Sequence, residues 1–292
     1  MILQPIEALG TIWHIEFFEE VTDDETIRKD IARWLAEFES RYSRFRSDSW
    51  LSILNRTGEY IAPHPQFVDL LTCALEYYHT TEGVFNVAVG EQLTKSGYDA
   101  AYSFTAAAEL PPVPALPEVL VITADKISLQ SGLLDLGGIG KGYAIDKLAE
   151  YLQREWGLHF FLINGGGDIY ATSDHNKPVT ITLAHPDDRN MAIGTVDLTN
   201  TGFAVSSPQL RRWNDPQTGK SHNHLLTKHT VTSYVVAPNT AAADVWATVS
   251  CLNQIIEPPQ EIHQLLINES GQILKDTFVQ LADHTSYNIY KK

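Results

Sequence analysis

Hydrophobic and polar residues alternate along this chain in two distinct rhythms. Residues 10–18 (GTIWHIEFF) are rich in aromatic and β-branched types, the pattern of a strand. Thr22 then precedes Glu25 by three, a capping-box spacing, and Ile27, Ile31, Trp34, Leu35 and Phe38 follow at helical intervals. This predicts an amphipathic helix whose tail runs into a polar turn and a short helix over RYSRFRSDSWLSILN. A second helix is predicted over about 64–80, with Phe67, Leu70, Leu71, Ala74 and Tyr78 on one side. Residues 106–117 (AAAELPPVPALP) are small and proline-rich, the composition of an exposed connection.

The rhythm then changes. ITADKISLQ reads as a hairpin, and LLDLGGIGKGYAIDKLAEYLQREWG as a strand end, a glycine loop and a helix. HFFLINGGGDIYATS reads as a strand entering a glycine turn. VTITLAHP, AIGTVDLTN, GFAVSS and VTSYVVAP are further β-like runs, interrupted by a polar segment at 208–229. Asn239 or Thr240 can cap a helix through Cys251, and the last fifty residues suggest one more helix near 259–267 with short strands. The mixture predicts an α+β fold with largely antiparallel sheets and helices packed on one face. The length of 292 residues allows one unit, with two intimately packed lobes at about 1–118 and 119–292 as its internal division.

Composition narrows the function. A formal charge of -15 argues against a nucleic-acid partner, because phosphate backbones need a basic face. An acidic chain that binds an anion needs local positive charge from Lys/Arg, backbone amides or a metal. The two cysteines, Cys73 and Cys251, lie in apolar helical runs without redox or zinc spacing, and are expected to be buried thiols. The opening MILQPIEALGT has no basic n-region, long apolar stretch or lipobox-like cysteine, and no 18-residue apolar span exists. The cytoplasm is therefore the expected compartment, with no membrane span.

The candidate chemistry centres on DLGGIGKGYAID, residues 135–146. Its glycines let backbone approach a ligand, the following helix offers free N–H groups, and Lys141 adds a cation. It is neither a Walker A loop nor a G-x-G-x-x-G fingerprint. From the residues alone, a phosphate or nucleotide site and a tight structural turn both remain open. Asp244 and Thr248 stand at i and i+4 on the predicted late helix, so a carboxylate and a hydroxyl share one face and can hold one hard cation. The alternative is a solvated or capping Asp and a Thr bonded to its own helix.

These segments resemble the ApbE-type flavin transferases, the FAD:protein FMN transferases. Besides the loop, Leu9-Gly10-Thr11 resembles the family's M-G-T, and Ser43-Arg44-Phe45 with Asp48-Ser49 and Asn55 its S-x-Y…D-S…N. Glu82-Gly83-Val84-Phe85-Asn86 is similar to E-G-x-F-D, and Asn164-Gly165-Gly166-Gly167-Asp168 to the G-G-D turn. Ala204-Val205-Ser206-Ser207 resembles A-T-S-G, His224 heads a segment like H-I-I-D-P-x-T-G, and Ala243-Asp244-x-x-x-Thr248 matches A-D-x-x-[ST]-T.

The resemblance implies a T-fold-like core and transfer of the FMN half of FAD to a Thr/Ser hydroxyl of an acceptor protein, releasing AMP. It implies Mg²⁺ held by Asp244, Thr248 and the Gly138 carbonyl, with Asp244 and His224 in catalytic roles. It places FAD against Leu9, Phe45, Val84, Phe85, Asn86, Asp135, Lys141 and Leu225. Phe45 stands where the family has a flavin-stacking tyrosine; an ordinary core Phe is the other reading. A salt bridge between Asp135 and Lys141 that braces the loop is the alternative to cofactor contact. His224 suits a general base because imidazole titrates near neutrality, although His222 lies two residues away among 11 histidines.

The pattern is broken in places. Asn86 replaces the family's acid and Ala88 its following Thr; Thr227-Lys228 replaces D-P; Val231 replaces the closing glycine; and an extra DPQTG occurs at 215–219. FAD hydrolysis to FMN and AMP, non-catalytic FAD binding, and an unrelated nucleotide-binding α+β protein are the competing readings.

Overall fold

The computed structural model describes all residues except 175–176, 187, 189, 210, 279–287 and 290–292. In chain order the elements are β1 (Ile6–Ala8), β2 (Thr11–Phe17), α1 (Asp24–Tyr42), α2 (Trp50–Thr57), β3 (Glu59–Ile61), α3 (Pro65–Thr80), α4 (Gly90–Lys95), α5 (Leu116–Val119), β4 (Leu120–Ile122) and β5 (Lys126–Leu129). There follow α6 (Gly140–Trp156), β6 (Phe161–Gly165), β7 (Asp168–Thr172), β8 (Val179–Ala184), β9 (Ala192–Leu198), β10 (Thr201–Ser206), β11 (Arg212–Asn214) and β12 (Ser221–Asn223). The last are β13 (Thr232–Ala237), α7 (Thr240–Leu252), β14 (His263–Ile267), β15 (Ile273–Asp276) and β16 (Asn288–Ile289). None of the helices among the described residues is long and apolar enough to cross a membrane.

The chain forms two compact units that interleave in sequence. One comprises 1–36, 139–209 and 229–292; the other comprises 37–138 and 210–228. This differs from lobes at about 1–118 and 119–292: the chain changes unit within α1, at the glycine loop, and on both sides of the β11–β12 hairpin.

The first unit holds an eight-stranded sheet in the order β1-β2-β6-β7-β10-β13-β14-β15, antiparallel throughout. Alternation sorts its side chains onto two covered faces. Ile169, Phe203, Tyr234, Val236, Leu265 and Ile267 pack with Ile181, Leu183 and Val196 of the β8–β9 sheet. From the other face Gln264 reaches Ser250 on α7 (Nε2 to Oγ, 2.6 Å), and Gly202 lies against the backbone of Asn239 and Thr240. Helix α7 thus packs on one face, and a second sheet covers the other. All six residues of β13 are buried as a result.

Local chemistry sets several boundaries. Asp23, not Thr22, caps α1, its Oδ1 accepting from Thr26 N at 2.9 Å. Asn239 caps α7 through Ala242 N, and Gly157 closes α6 with φ 64°. The helix expected near 259–267 is instead strand β14. Cys251 is buried, and burial pushes its thiol up to about 12, whereas Cys73 is only half-buried; neither forms a disulfide among the described residues.

The second unit packs Leu51, Leu54, Phe67, Leu70, Leu71, Ile127 and Leu134 in its interior. Its strands pair as β3-β5-β4 and β11-β12. Residues 106–117 run without regular structure until Leu116 starts α5, and the hairpin expected from ITADKISLQ forms as β4–β5.

Candidate active site

In the first unit the glycine loop delivers Lys141 to the opening turn of α6. Ile139 precedes that helix with φ −140° and makes no side-chain capping bond, so the first-turn amides have no side-chain acceptor from the cap position. Gly142 N instead reaches Asp244 Oδ2 at 3.3 Å, and Lys141 Nζ stands 3.7 Å from the same oxygen. Lys141 Nζ also pairs directly with Asp168 Oδ2. Asp168 is 3% and Asp244 6% exposed, so two buried carboxylates converge on one ammonium.

The backbone explains this convergence. The β6–β7 turn passes through Gly166 (φ 74°) and Gly167 (φ 107°), which places Asp168 opposite Gly165 at the start of β7. Gly142 lets α6 and α7 approach: a Cβ there would stand 2.5 Å from the Thr240 carbonyl oxygen. Thr248 lies one turn after Asp244 and is half-buried. Leu9, also half-buried, turns the β1–β2 hairpin with φ 51°, followed by Gly10 at φ 67°. A branched apolar residue in that left-handed conformation is uncommon.

In the second unit, Asp135 pairs with Arg44 and its Oδ1 accepts from Gly137 N at 2.7 Å. Arg44 Nη2 also donates to the Tyr98 carbonyl at 2.7 Å. The bracing partner of Asp135 is therefore Arg44, while Lys141 pairs with Asp168. Gly138 ends this unit, its carbonyl carbon bonded to Ile139 of the other.

Phe45 is no core residue: it is 40% exposed, with the Arg44 guanidinium 4.3 Å from its ring centroid and Tyr102 stacked on it at 5.6 Å. Tyr98 stacks on Trp213 at 5.6 Å, and Trp213 on His222 at 6.0 Å. The aromatic array is thus longer than the single ring expected.

Phe85 is buried against Tyr77, and Val84 is half-buried. The Asn86 amide is engaged at both ends, Nδ2 donating to Pro114 O and Oδ1 accepting from Ala88 N, each at 2.9 Å.

His222 and His224 have different surroundings. His222 lies within β12 against Trp213, and its Nε2 is buried without a hydrogen-bond partner among the described residues. His224 sits in the following turn, its N donating to Arg211 O at 3.2 Å and its Nδ1 lying 3.4 Å from the same oxygen. Asn223 shapes this turn, Oδ1 accepting from Leu225 N at 3.1 Å and Nδ2 donating to Thr227 O at 2.7 Å. Leu225 is half-buried there.

Among the described residues no cluster of three or more His, Cys, Asp or Glu could hold a metal. A cation beside Asp244 would therefore draw on hydroxyl, carbonyl and ligand oxygens, the donor set Mg²⁺ favours. A buried carboxylate that, among the described residues, meets a long amide contact and a shared ammonium fits such an ion.

The family model of the ApbE family matches residues 9–268. The chain belongs to the ApbE family. Among its relatives, the FAD:protein FMN transferase of Klebsiella pneumoniae (strain 342) is 24% identical over 270 residues, covering 83% of this chain and 75% of that protein. The FAD:protein FMN transferase of Salmonella typhimurium is 25% identical over 284 residues, with the same coverage of 83% and 75%. The ApbE protein of Thermotoga maritima superposes with TM-score 0.78 at 20% identity, covering 95% of this chain and 97% of its own. The flavin transferase ApbE of Vibrio cholerae gives 0.74 at 20% identity, with 100% and 97% covered. These likenesses establish the ApbE fold.

Sequence reading named Asp168 without a role and missed Arg44, Tyr98, Tyr102, Trp213 and Asn223 as neighbours of candidate residues. Arg44 and Asp168 were findable, because each stands inside a motif segment as its charged member.

Proposed function

We propose that this ApbE-family chain transfers the FMN half of FAD to a Thr or Ser hydroxyl of an acceptor protein and releases AMP, with Mg²⁺ as the metal. The observation that carries the reading is the buried Asp168–Lys141–Asp244 cluster at the start of α6, where Ile139 supplies no side-chain cap and a diphosphate would meet an ammonium and the helix N-terminus. The relatives named FAD:protein FMN transferase support it.

In the reaction the acceptor oxygen bonds to the FMN phosphorus, and the phosphorus–oxygen bond to AMP breaks. The hydroxyl proton passes to His224. A proton on Nδ1, which lies 3.4 Å from the Arg211 carbonyl oxygen, would make Nε2 the basic nitrogen of the His224 ring. Lys141 steadies the phosphoryl oxygens, which carry the charge of the transition state. Leu9, Val84, Phe85 and Leu225 supply apolar or backbone contacts to FAD, Phe45 a stacking face, and Asp135, through Arg44, the shape of the loop. Asp244, Thr248 and the Gly138 carbonyl would hold Mg²⁺, which supplies electrostatic stabilisation of the diphosphate when bound. Asn86 is committed to Pro114 and Ala88, so its segment contributes backbone more than a charged side chain.

The departures at Asn86 and Thr227–Val231 favour FAD binding without catalysis as the second reading, and hydrolysis, with water in place of the acceptor, is a third outcome. Incubation with FAD, Mg²⁺ and an acceptor protein separates the three. AMP together with a fluorescent acceptor band supports transfer. AMP alone means hydrolysis, and bound FAD with neither product means a binding protein. Asp244→Ala should abolish product while altering FAD binding less; normal turnover by that variant would refute the metal assignment.

A further inference from the structure

We infer that Asp168 is a positioning residue: it holds the Lys141 ammonium away from Asp244 and so keeps the Asp244 carboxylate available to a divalent cation. This rests on the reading of Asp244 as a cation ligand given above. The geometry is unequal. Lys141 Nζ pairs directly with Asp168 Oδ2 but stands 3.7 Å from Asp244 Oδ2, although both carboxylates are buried.

An ammonium and a divalent cation compete for the same oxygen lone pairs. In a site this enclosed, the competitor held by another carboxylate is the weaker one. Asp168 is suited to that restraint. It follows the Gly166–Gly167 turn at a fixed register in the sheet, opposite Gly165, so its carboxylate is set by backbone and not by a long side chain. Lys141, by contrast, has a flexible four-carbon stem and can reach either acid. Without the Asp168 charge, the buried Asp244 carboxylate 3.7 Å away is an anion the ammonium can move to, and it then stands where the metal would bind.

Mn²⁺ binding to the full chain tests this, read by electron paramagnetic resonance with and without FAD. Asp168→Asn should weaken Mn²⁺ binding about tenfold, and adding Lys141→Gln to that variant should restore it, a coupling that independent sites would not show. A merely structural role for Asp168 predicts no rescue by Lys141→Gln. Unchanged Mn²⁺ affinity in Asp168→Asn, or a folded double variant that stays weak, overturns the inference. If Asp168→Asn does not fold, Lys141→Gln alone decides: the inference requires equal or tighter Mn²⁺ binding, and weaker binding refutes it. If Asp244→Ala leaves wild-type Mn²⁺ affinity intact, the ligand reading itself has failed, an outcome distinct from a failure of Asp168 alone.

Discussion

Asp146 on α6 accepts a hydrogen bond from Thr240 N, the first residue of α7, at 2.8 Å. Its other oxygen accepts from Ala241 N, also at 2.8 Å. One carboxylate therefore ties the helix that carries Lys141 to the opening turn of the helix that carries Asp244 and Thr248. It satisfies α7 amides that would otherwise lack partners.

This tie has a pH signature. Burial pushes the Asp146 carboxyl up to about 6 from 3.8, against the hydrogen bonds from Ala241 and Thr240, which lower it. The folded protein thus binds this proton more tightly than the unfolded chain. The group's contribution to stability is fully present below about pH 4 and is lost as pH rises through about 6, a span of up to about 3 kcal/mol. Asp146→Asn should remove that slope. Urea unfolding at intervals from pH 4 to 7 checks it, and equal slopes in both proteins would refute the assignment.

The same helix contact predicts a steric effect. An Ala at 142 would put its Cβ 2.5 Å from Thr240 O and 2.8 Å from Ala241 Cα, both backbone atoms that cannot rotate aside. Gly142→Ala should cost about 1–3 kcal/mol, or more if α7 must shift. Because the strain falls between Lys141 and Asp244, product formation should fall more steeply than thermal stability. A variant with wild-type melting and turnover would show that the helices have slack.

Much of this arrangement was legible because periodicity and turn chemistry agreed: the glycine loop, α6, the β6–β7 turn and α7 all stand where the residues point. The misreadings have physical causes. Ile262, Leu265 and Leu266 are spaced as on a helix, yet β14 is covered on both faces, with Leu265 and Ile267 toward one sheet and Gln264 toward α7. Double coverage removes the alternation that marks a strand. Capping by Asp23 in place of Thr22 reflects two adjacent residues that are both good caps. The ion pairs were illegible for another reason. Spacing says which charges lie near in sequence, but Arg44 with Asp135 and Lys141 with Asp168 are brought together only by tertiary structure.

Asn86 is the clearest departure from the family motif, and its surroundings account for it. Nδ2 donates to the Pro114 carbonyl, which a carboxylate cannot do. Asn86→Asp, although it restores the motif, should set a negative oxygen against that carbonyl and destabilise the protein by about 1–3 kcal/mol. Thermal melts at pH 7 test this. Stability equal to or above wild type would mean that the 106–117 connection can move away, and that Asn86 was not retained for the sake of Pro114.

Asp215 predicts a pH effect of opposite sign to that of Asp146. Its Oδ2 accepts from Ala106 N at 2.8 Å, and its Oδ1 from Gln217 N and Thr218 N at 2.7 and 2.8 Å. One carboxylate thereby fastens the start of the proline-rich connection to the DPQTG turn. Hydrogen bonds from Ala106 and Thr218 hold its carboxyl down to about 2, below 3.8. A folded value below the unfolded one means that the stabilisation is fully present above about pH 4 and is lost as pH falls toward about 2. Asp215→Asn should therefore be less stable than wild type at pH 7, with the gap between their urea midpoints closing steadily between pH 5 and pH 2. Asp215→Asn should also be cut faster by protease within 106–117 at neutral pH, because Ala106 loses its anchor. A gap that stays constant with pH would show that shape, and not charge, makes the anchor.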